Sequence, residues 1–180
     1  MIPEQLKRII DIGWYVMPVS RYSKCYCIKP EEGKTATDYY SNDISVISDW
    51  TAQFRDCNWR VHMGASGLFA LDIDRESELH DANGFKTMFH LTEKYGKLPE
   101  GPRLKTGGSG GCVAFFRMTD NPDDYKGSGA LGSGVDIMKG RVAPTIPPSI
   151  HQVSGGKYSW YRGHAPVSYT HLRAHETGRN

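Results

Sequence analysis

The chain has 180 residues, 22 of them basic and 20 acidic, for a net charge of +2. That length suits one ordinary domain, which buries roughly 70% of its unfolded surface and needs no disulfide staples. Hydrophobic residues make up 38% of the chain and the mean hydropathy is -0.52. The apolar runs, such as Leu68 to Leu71 and Cys112 to Phe116, are too short to span a membrane. The near-balance of charge neither demands nor excludes nucleic acid, because binding depends on where the charge sits.

Pro3 to Ile12 sets Leu6, Ile9 and Ile10 on one helical face, ahead of a stop at Gly13. Tyr15 to Val19 is β-prone, and the stretch from Ile28 to Asp43 is turn-rich. Asp43 to Phe54 reads as a helix capped by Asp43, with Ile44, Ile47, Trp50 and Phe54 in phase. Trp59 to Met63 and Leu68 to Asp74 read as two strands around the turn Gly64-Ala65-Ser66-Gly67. Gly84 to Tyr95 is helical, with Phe85, Met88, Phe89 and Leu91 as its apolar face. Short β-like stretches follow at Arg103 to Thr106, Gly111 to Arg117, Val135 to Met138 and Tyr158 to Tyr161. Mixed elements joined by glycine-rich connections predict an α+β architecture rather than regular βαβ winding.

The four cysteines, Cys25, Cys27, Cys57 and Cys112, fit a reduced, cytoplasmic protein. Cys25-x-Cys27 lacks the spacing of a zinc knuckle. Met1 to Ile10 carries Glu4, Lys7 and Arg8 without the apolar region of a secretory signal. Val167 to Thr177 resembles the conceptual translation of a transposon-end sequencing adapter. The expected domain is therefore residues 1–166, followed by a non-native or disordered tail at 167–180, with the natural protein continuing past Pro166. Gly33-Lys34-Thr35 mimics the end of a phosphate loop, but Ile28 stands where the upstream glycine is required. Gly127-x-Gly129-x-x-Gly132 has no helix after it, so neither motif carries weight.

Chemistry concentrates in Phe69-Ala70-Leu71-Asp72-Ile73-Asp74. Alternation in a strand points Asp72 and Asp74 to one face and Leu71 and Ile73 to the other. Two carboxylates about 6.5 Å apart repel by roughly 2–3 kcal/mol at an effective dielectric of ~20. A divalent ion between them turns that cost into binding, and oxygen-only ligands suit magnesium or manganese. The same pattern also suits a strand that runs into a charged turn. Arg103 to Gly111 is a basic strand entering a loop with Gly107, Gly108, Ser109, Gly110 and Gly111, where backbone N–H groups and Lys105 suit phosphate oxygens, or a plain hairpin turn. Asp136, followed by Lys139 and Arg141, suits a third carboxylate completing an octahedral site, or an exposed aspartate at a strand end. Pro147-Pro148-Ser149-Ile150-His151 is rigid enough to fix Ser149 and His151 against a pocket, though a lone histidine equally suits a hydrogen-bonded surface position.

Taken together and in order, these segments resemble the N-terminal domain of bifunctional DNA primase/polymerases, of the archaeo-eukaryotic primase group. The carriers are Gly13 to Val19, Ala36-Thr37 leading to Trp50, Leu71-Asp72-Ile73-Asp74 and Thr106 to Phe116. They continue through Gly134-Val135-Asp136-Ile137, Pro147-Pro148-Ser149-x-His151 and Tyr158-Ser159-Trp160, and cover residues 5–163. The resemblance implies a small αβ module packed on a sheet like that of an RNA-recognition motif, with the active site in the cleft between. It implies a DNA-directed nucleotidyltransferase in phage or plasmid replication, acting on a DNA template and nucleoside triphosphates, with a helicase in the full-length parent. Asp72, Asp74 and Asp136 would hold two Mg²⁺ or Mn²⁺ ions. Lys105, Gly107 to Gly111, Lys139, Arg141, Ser149 and His151 would meet the nucleotide. The family pattern Gly-Gly-x-His reads Gly110-Gly111-Cys112-Val113 here, and valine neither donates a hydrogen bond nor carries charge. That departure keeps two alternatives open: a weakened or inactive binder of the same fold, and a metal-dependent phosphodiesterase.

Overall fold

The computed structural model describes residues 1–23, 25–76, 82–119 and 131–167. Its first helix, α1 (Glu4–Asp11), buries Leu6, Ile9 and Ile10, the face set by their spacing of three and four residues. Gly13, at φ +86°, then turns the chain into β1 (Val16–Val19). The second helix, α2 (Ile44–Gln53), starts at Asp43, whose carboxylate accepts from the backbone N–H groups of Ser45 at 2.7 Å and Val46 at 3.4 Å. Those contacts satisfy donors that the first helical turn leaves free.

Two antiparallel sheets follow from the pairing of the remaining strands. β2 (Asn58–Val61) lies between β1 and β7 (Thr145–Ile146) in a three-stranded sheet. The larger sheet is built from β3 (Leu68–Ile73), β4 (Arg103–Lys105), β5 (Cys112–Arg117), β6 (Val135–Met138) and β8 (Ser159–Trp160), in the order β6-β3-β5-β4-β8. The third helix, α3 (Gly84–Tyr95), packs on this sheet through Met88 and Leu91. The architecture is α+β, as the mixture of periodicities predicts.

The structure refines one sequence expectation and changes another. β2 and β3 flank the Gly64–Gly67 turn but do not pair with each other; the turn carries the chain from one sheet to the other. Phe89, placed by spacing on the apolar face of α3, is 61% exposed, and Phe85 lies at the margin. The helix covers only part of the sheet, so its apolar stripe is wider than the surface it meets.

Alternation along β3 divides the apolar residues between two cores. Leu68 and Ala70 join Val113, Phe115 and Leu104 in a cluster with α1, α2 and the small sheet. Leu71 and Ile73 join Cys112, Ala114, Phe116 and Val135 beneath α3. Fully burying one such side chain contributes about 1.5–3 kcal/mol, so both faces of β3 anchor it. On the first face the sequence changes from Leu68 and Ala70 to Asp72 and Asp74 where that core ends.

Candidate active site

Asp72 and Asp74 open onto a cleft of about 690 Å³ that both sheets line. Val19, Asn58, Arg60 and Thr145 contribute from the small sheet, while Thr106, Gly108, Ser109, His151, Ser154 and Tyr158 close the other sides. The ladder explains how the acids assemble. Asp72 is the direct partner of Asp136 on β6 and of Val113 on β5. One row across the large sheet therefore reads Asp136, Asp72, Val113, Leu104, Trp160. Asp74, two residues beyond Asp72, shares its face. Its backbone is held on both sides, donating from N–H to the Gly134 carbonyl and accepting from the Gly84 N–H, each at 2.9 Å. All three acids thus belong to one sheet face, with Asp136 exposed on the edge strand and outside the lining of the cleft. Among the described residues, no three Asp, Glu, His or Cys side chains close on a single point. The donors are nonetheless all hard carboxylate oxygens, a set that fits Mg²⁺ or Mn²⁺ rather than zinc.

The glycine loop and His151 form one braced wall. Ser154 Oγ donates to the Gly107 carbonyl at 2.7 Å, and the Ser154 N–H donates to His151 Nδ1 at 3.2 Å. Ser154 Oγ also lies 3.0 Å from Nδ1, so Ser154 engages that nitrogen and leaves Nε2 facing the loop. Nε2 stands 3.3 Å from the place a Cβ on Gly108 would occupy, so the ring rests against the loop. A side chain on Gly107 would collide with the Gly156 carbonyl, and one on Gly156 with the Gly107 carbonyl. Glycine at both positions is therefore a packing requirement.

The structure gathers only some of the residues singled out by sequence. Asp72, Asp74, Gly108, Ser109 and His151 line the cleft, with Gly107, Gly110 and Gly111 buried in the loop behind. Lys139 and Arg141 follow Asp136 in the chain, but neither lines the cleft. Because β6 runs antiparallel to β3, Met138 lies opposite Ala70, and Lys139 and Arg141 continue toward Leu68, away from the acids. Lys105 follows Leu104, whose side chain faces the acids' core, and so Lys105 projects from the opposite face. Ser149 is 1% exposed, and its hydroxyl accepts from the Trp59 N–H at 2.8 Å. It ties the rigid proline turn to β2.

Three residues of the cleft escape a reading for motifs. Arg60 lines it with Nε buried and without a hydrogen-bond partner. Tyr158 has its phenol pushed up by burial, lowered by a hydrogen bond with Thr145, raised by Asp72 and lowered by Arg60. Asn58 donates to the Ile150 carbonyl at 2.7 Å and accepts from the Ile150 N–H at 2.9 Å, which fixes the turn bearing His151. The available signal is the alternation of Asn58-Trp59-Arg60-Val61, with Asn58 and Arg60 sharing the face away from the core.

The architecture is a two-sheet α+β domain whose open cleft joins paired carboxylates to a glycine loop, a set of groups chemically suited to phosphate oxygens. The particular family follows from comparison with known sequences: the profile of the bifunctional DNA primase/polymerase N-terminal domain matches residues 6–172. The chain belongs to that family, which points to nucleotidyltransferase chemistry of the primase/polymerase type. No curated relative matches it at a significant level. No helix among the described residues is long and apolar enough to cross a membrane.

Proposed function

We propose that this domain performs template-directed nucleotidyl transfer, joining nucleoside triphosphates on a DNA template, in the replication of a phage or other mobile element and alongside a helicase. The observation that carries this reading is the register that sets Asp72 opposite Asp136, with Asp74 on the same face at the cleft. These acids would hold Mg²⁺ or Mn²⁺, which when bound supplies activation of the attacking hydroxyl and charge stabilisation at the phosphates. Arg60, half-buried in the cleft wall, offers its guanidinium to the triphosphate, where a bidentate contact suits phosphate geometry. The loop around Gly108 and Ser109 lets backbone N–H groups approach phosphate oxygens, and His151 presents Nε2 beside it. His151 thereby takes the nucleotide contact that Val113 cannot make. The larger sheet, backed by one helix, serves in this reading as the platform resembling an RNA-recognition motif.

Primer extension by the purified domain with manganese and deoxynucleotides tests the proposal. Extension that disappears in Asp72→Asn supports it. A second reading, a binder without catalysis, is favoured by Val113, which is 3% exposed and packed into the core beside Asp72. Nucleotide binding without extension selects that reading. Shortening of labelled DNA in the absence of nucleotides selects a phosphodiesterase instead.

A further inference from the structure

We propose that the face of the large sheet opposite the acids binds single-stranded nucleic acid through Arg75, Lys105 and Tyr161. The inference deepens the polymerase reading, on which the naming of that strand as template or primer rests. Lys105 lies opposite Ser159, and the Tyr161 N–H donates to the Arg103 carbonyl at 2.9 Å. Alternation therefore puts Arg103, Lys105, Ser159 and Tyr161 on one face, while Leu104 and Trp160 enter the core on the other.

Arg75 reaches the same area from the end of β3. Lys105 Cε and Arg75 Nε lie 3.4 and 3.9 Å from the place a Cβ on Gly110 would occupy, so two cations converge over one glycine. Neither makes an ion pair among the described residues. Two like charges held together repel, and a phosphate between them reverses the sign of that interaction. The Arg75 guanidinium also stands 5.0 Å from the centre of the Phe85 ring. Tyr161, 36% exposed, adds an accessible ring on this same face of the sheet.

Cations beside an accessible ring are the elements of a single-strand track: phosphates meet the charges and a base stacks on the ring. A free triphosphate with its metal fits the other face, where the carboxylates are. The loop from Gly107 to Gly111 is the partition, with Gly108 and Ser109 lining the cleft and Gly110 beneath the cations.

Fluorescence anisotropy of a short labelled oligothymidylate, titrated with potassium chloride, tests this. Arg75→Gln and Lys105→Gln should each lower the slope of log affinity against log salt by about 0.7, and Lys105→Arg should restore it. Tyr161→Ala should weaken binding about tenfold with the slope intact. Affinity for deoxynucleotide with manganese should stay at the wild-type value in all of them. The proposal is overturned if the wild-type chain does not bind the oligonucleotide, if slope and affinity survive the substitutions, or if nucleotide affinity falls in place of strand affinity. A domain that shows these strand-binding losses yet never extends a primer refutes the polymerase reading and leaves this surface standing. Extension together with strand binding indifferent to the substitutions does the reverse.

Discussion

Asp72 and Asp136 face each other as direct partners across the antiparallel ladder of β3 and β6. Like charges in that position destabilise a sheet, by about 0.2–1 kcal/mol relative to neutral pairs. Asp136→Asn should therefore raise the thermal midpoint slightly, at the low end of that range because Asp136 is exposed and screened. The same substitution should lower nucleotidyl transfer by about 10²-fold or more. Calorimetric unfolding measured beside primer extension checks both directions at once. A gain in stability coupled to a loss of activity marks an acid kept for function.

Val113, on the other flank of Asp72, tests what the departure from Gly-Gly-x-His means. Its side chain packs with Leu104 and Phe115 in the first core. Val113→His buries a ring without a ready partner and should cost about 1–3 kcal/mol in denaturant unfolding. If His151 already makes the nucleotide contact, the substitution adds no affinity, whereas His151→Ala weakens nucleotide binding about tenfold. A large gain in affinity from Val113→His would show that the missing ring is the one that matters.

Ser149 separates a structural tie from a ligand contact. Its hydroxyl accepts from the buried Trp59 N–H, so Ser149→Ala leaves that donor without its partner. We expect a loss of about 1–3 kcal/mol in urea unfolding, with nucleotide affinity intact. Weaker nucleotide binding at unchanged stability would contradict the assignment.

The two glycines that meet back to back give a packing prediction. Gly156→Ala drives a methyl group into the Gly107 carbonyl and should cost about 1–3 kcal/mol through backbone shifts. Because that contact holds the wall carrying Ser154 and His151, nucleotide affinity should fall as well. Equilibrium unfolding and nucleotide titration of the same preparation measure the pair.

His62 makes stability depend on pH. Burial, reinforced by Arg141, lowers its pKa from 6.5, and its Nδ1 accepts from the Ala65 N–H at 2.9 Å. The folded state thus prefers the neutral ring, and below pH 6.5 the unfolded chain takes up the proton first. Stability at this site is fully present above the unfolded value and is lost as pH falls toward the folded one. His62→Gln should flatten that part of the profile, measured as the thermal midpoint between neutral and mildly acidic pH.

Local rules account for much of the fold. Leu6, Ile9 and Ile10 reveal α1 by spacing, Asp43 marks the start of α2, and the alternation through Asp74 identifies the acid-bearing strand. Pairing is a different kind of information. Nothing local in Trp59 to Met63 states that β2 joins a different sheet from β3. β7, only Thr145–Ile146, is too short to show periodicity. Direction has the same character: Lys139 and Arg141 look like neighbours of Asp136 until the antiparallel register carries them to the other end of the sheet. Arg60 needed no motif to reach the cleft, because β2 pairs with β7 and Asn58 bonds the Ile150 carbonyl 92 residues further along the chain, contacts that no local pattern announces.

The most direct test of the whole account is isothermal titration of manganese, with nucleotide present, into the wild-type domain and into Asp72→Asn and Asp136→Asn. The account predicts manganese uptake by the wild type that is lost or sharply weakened in both variants while each remains folded. Uptake of equal affinity and stoichiometry in all three would contradict it, and the acids of this face would then have no part in holding a metal.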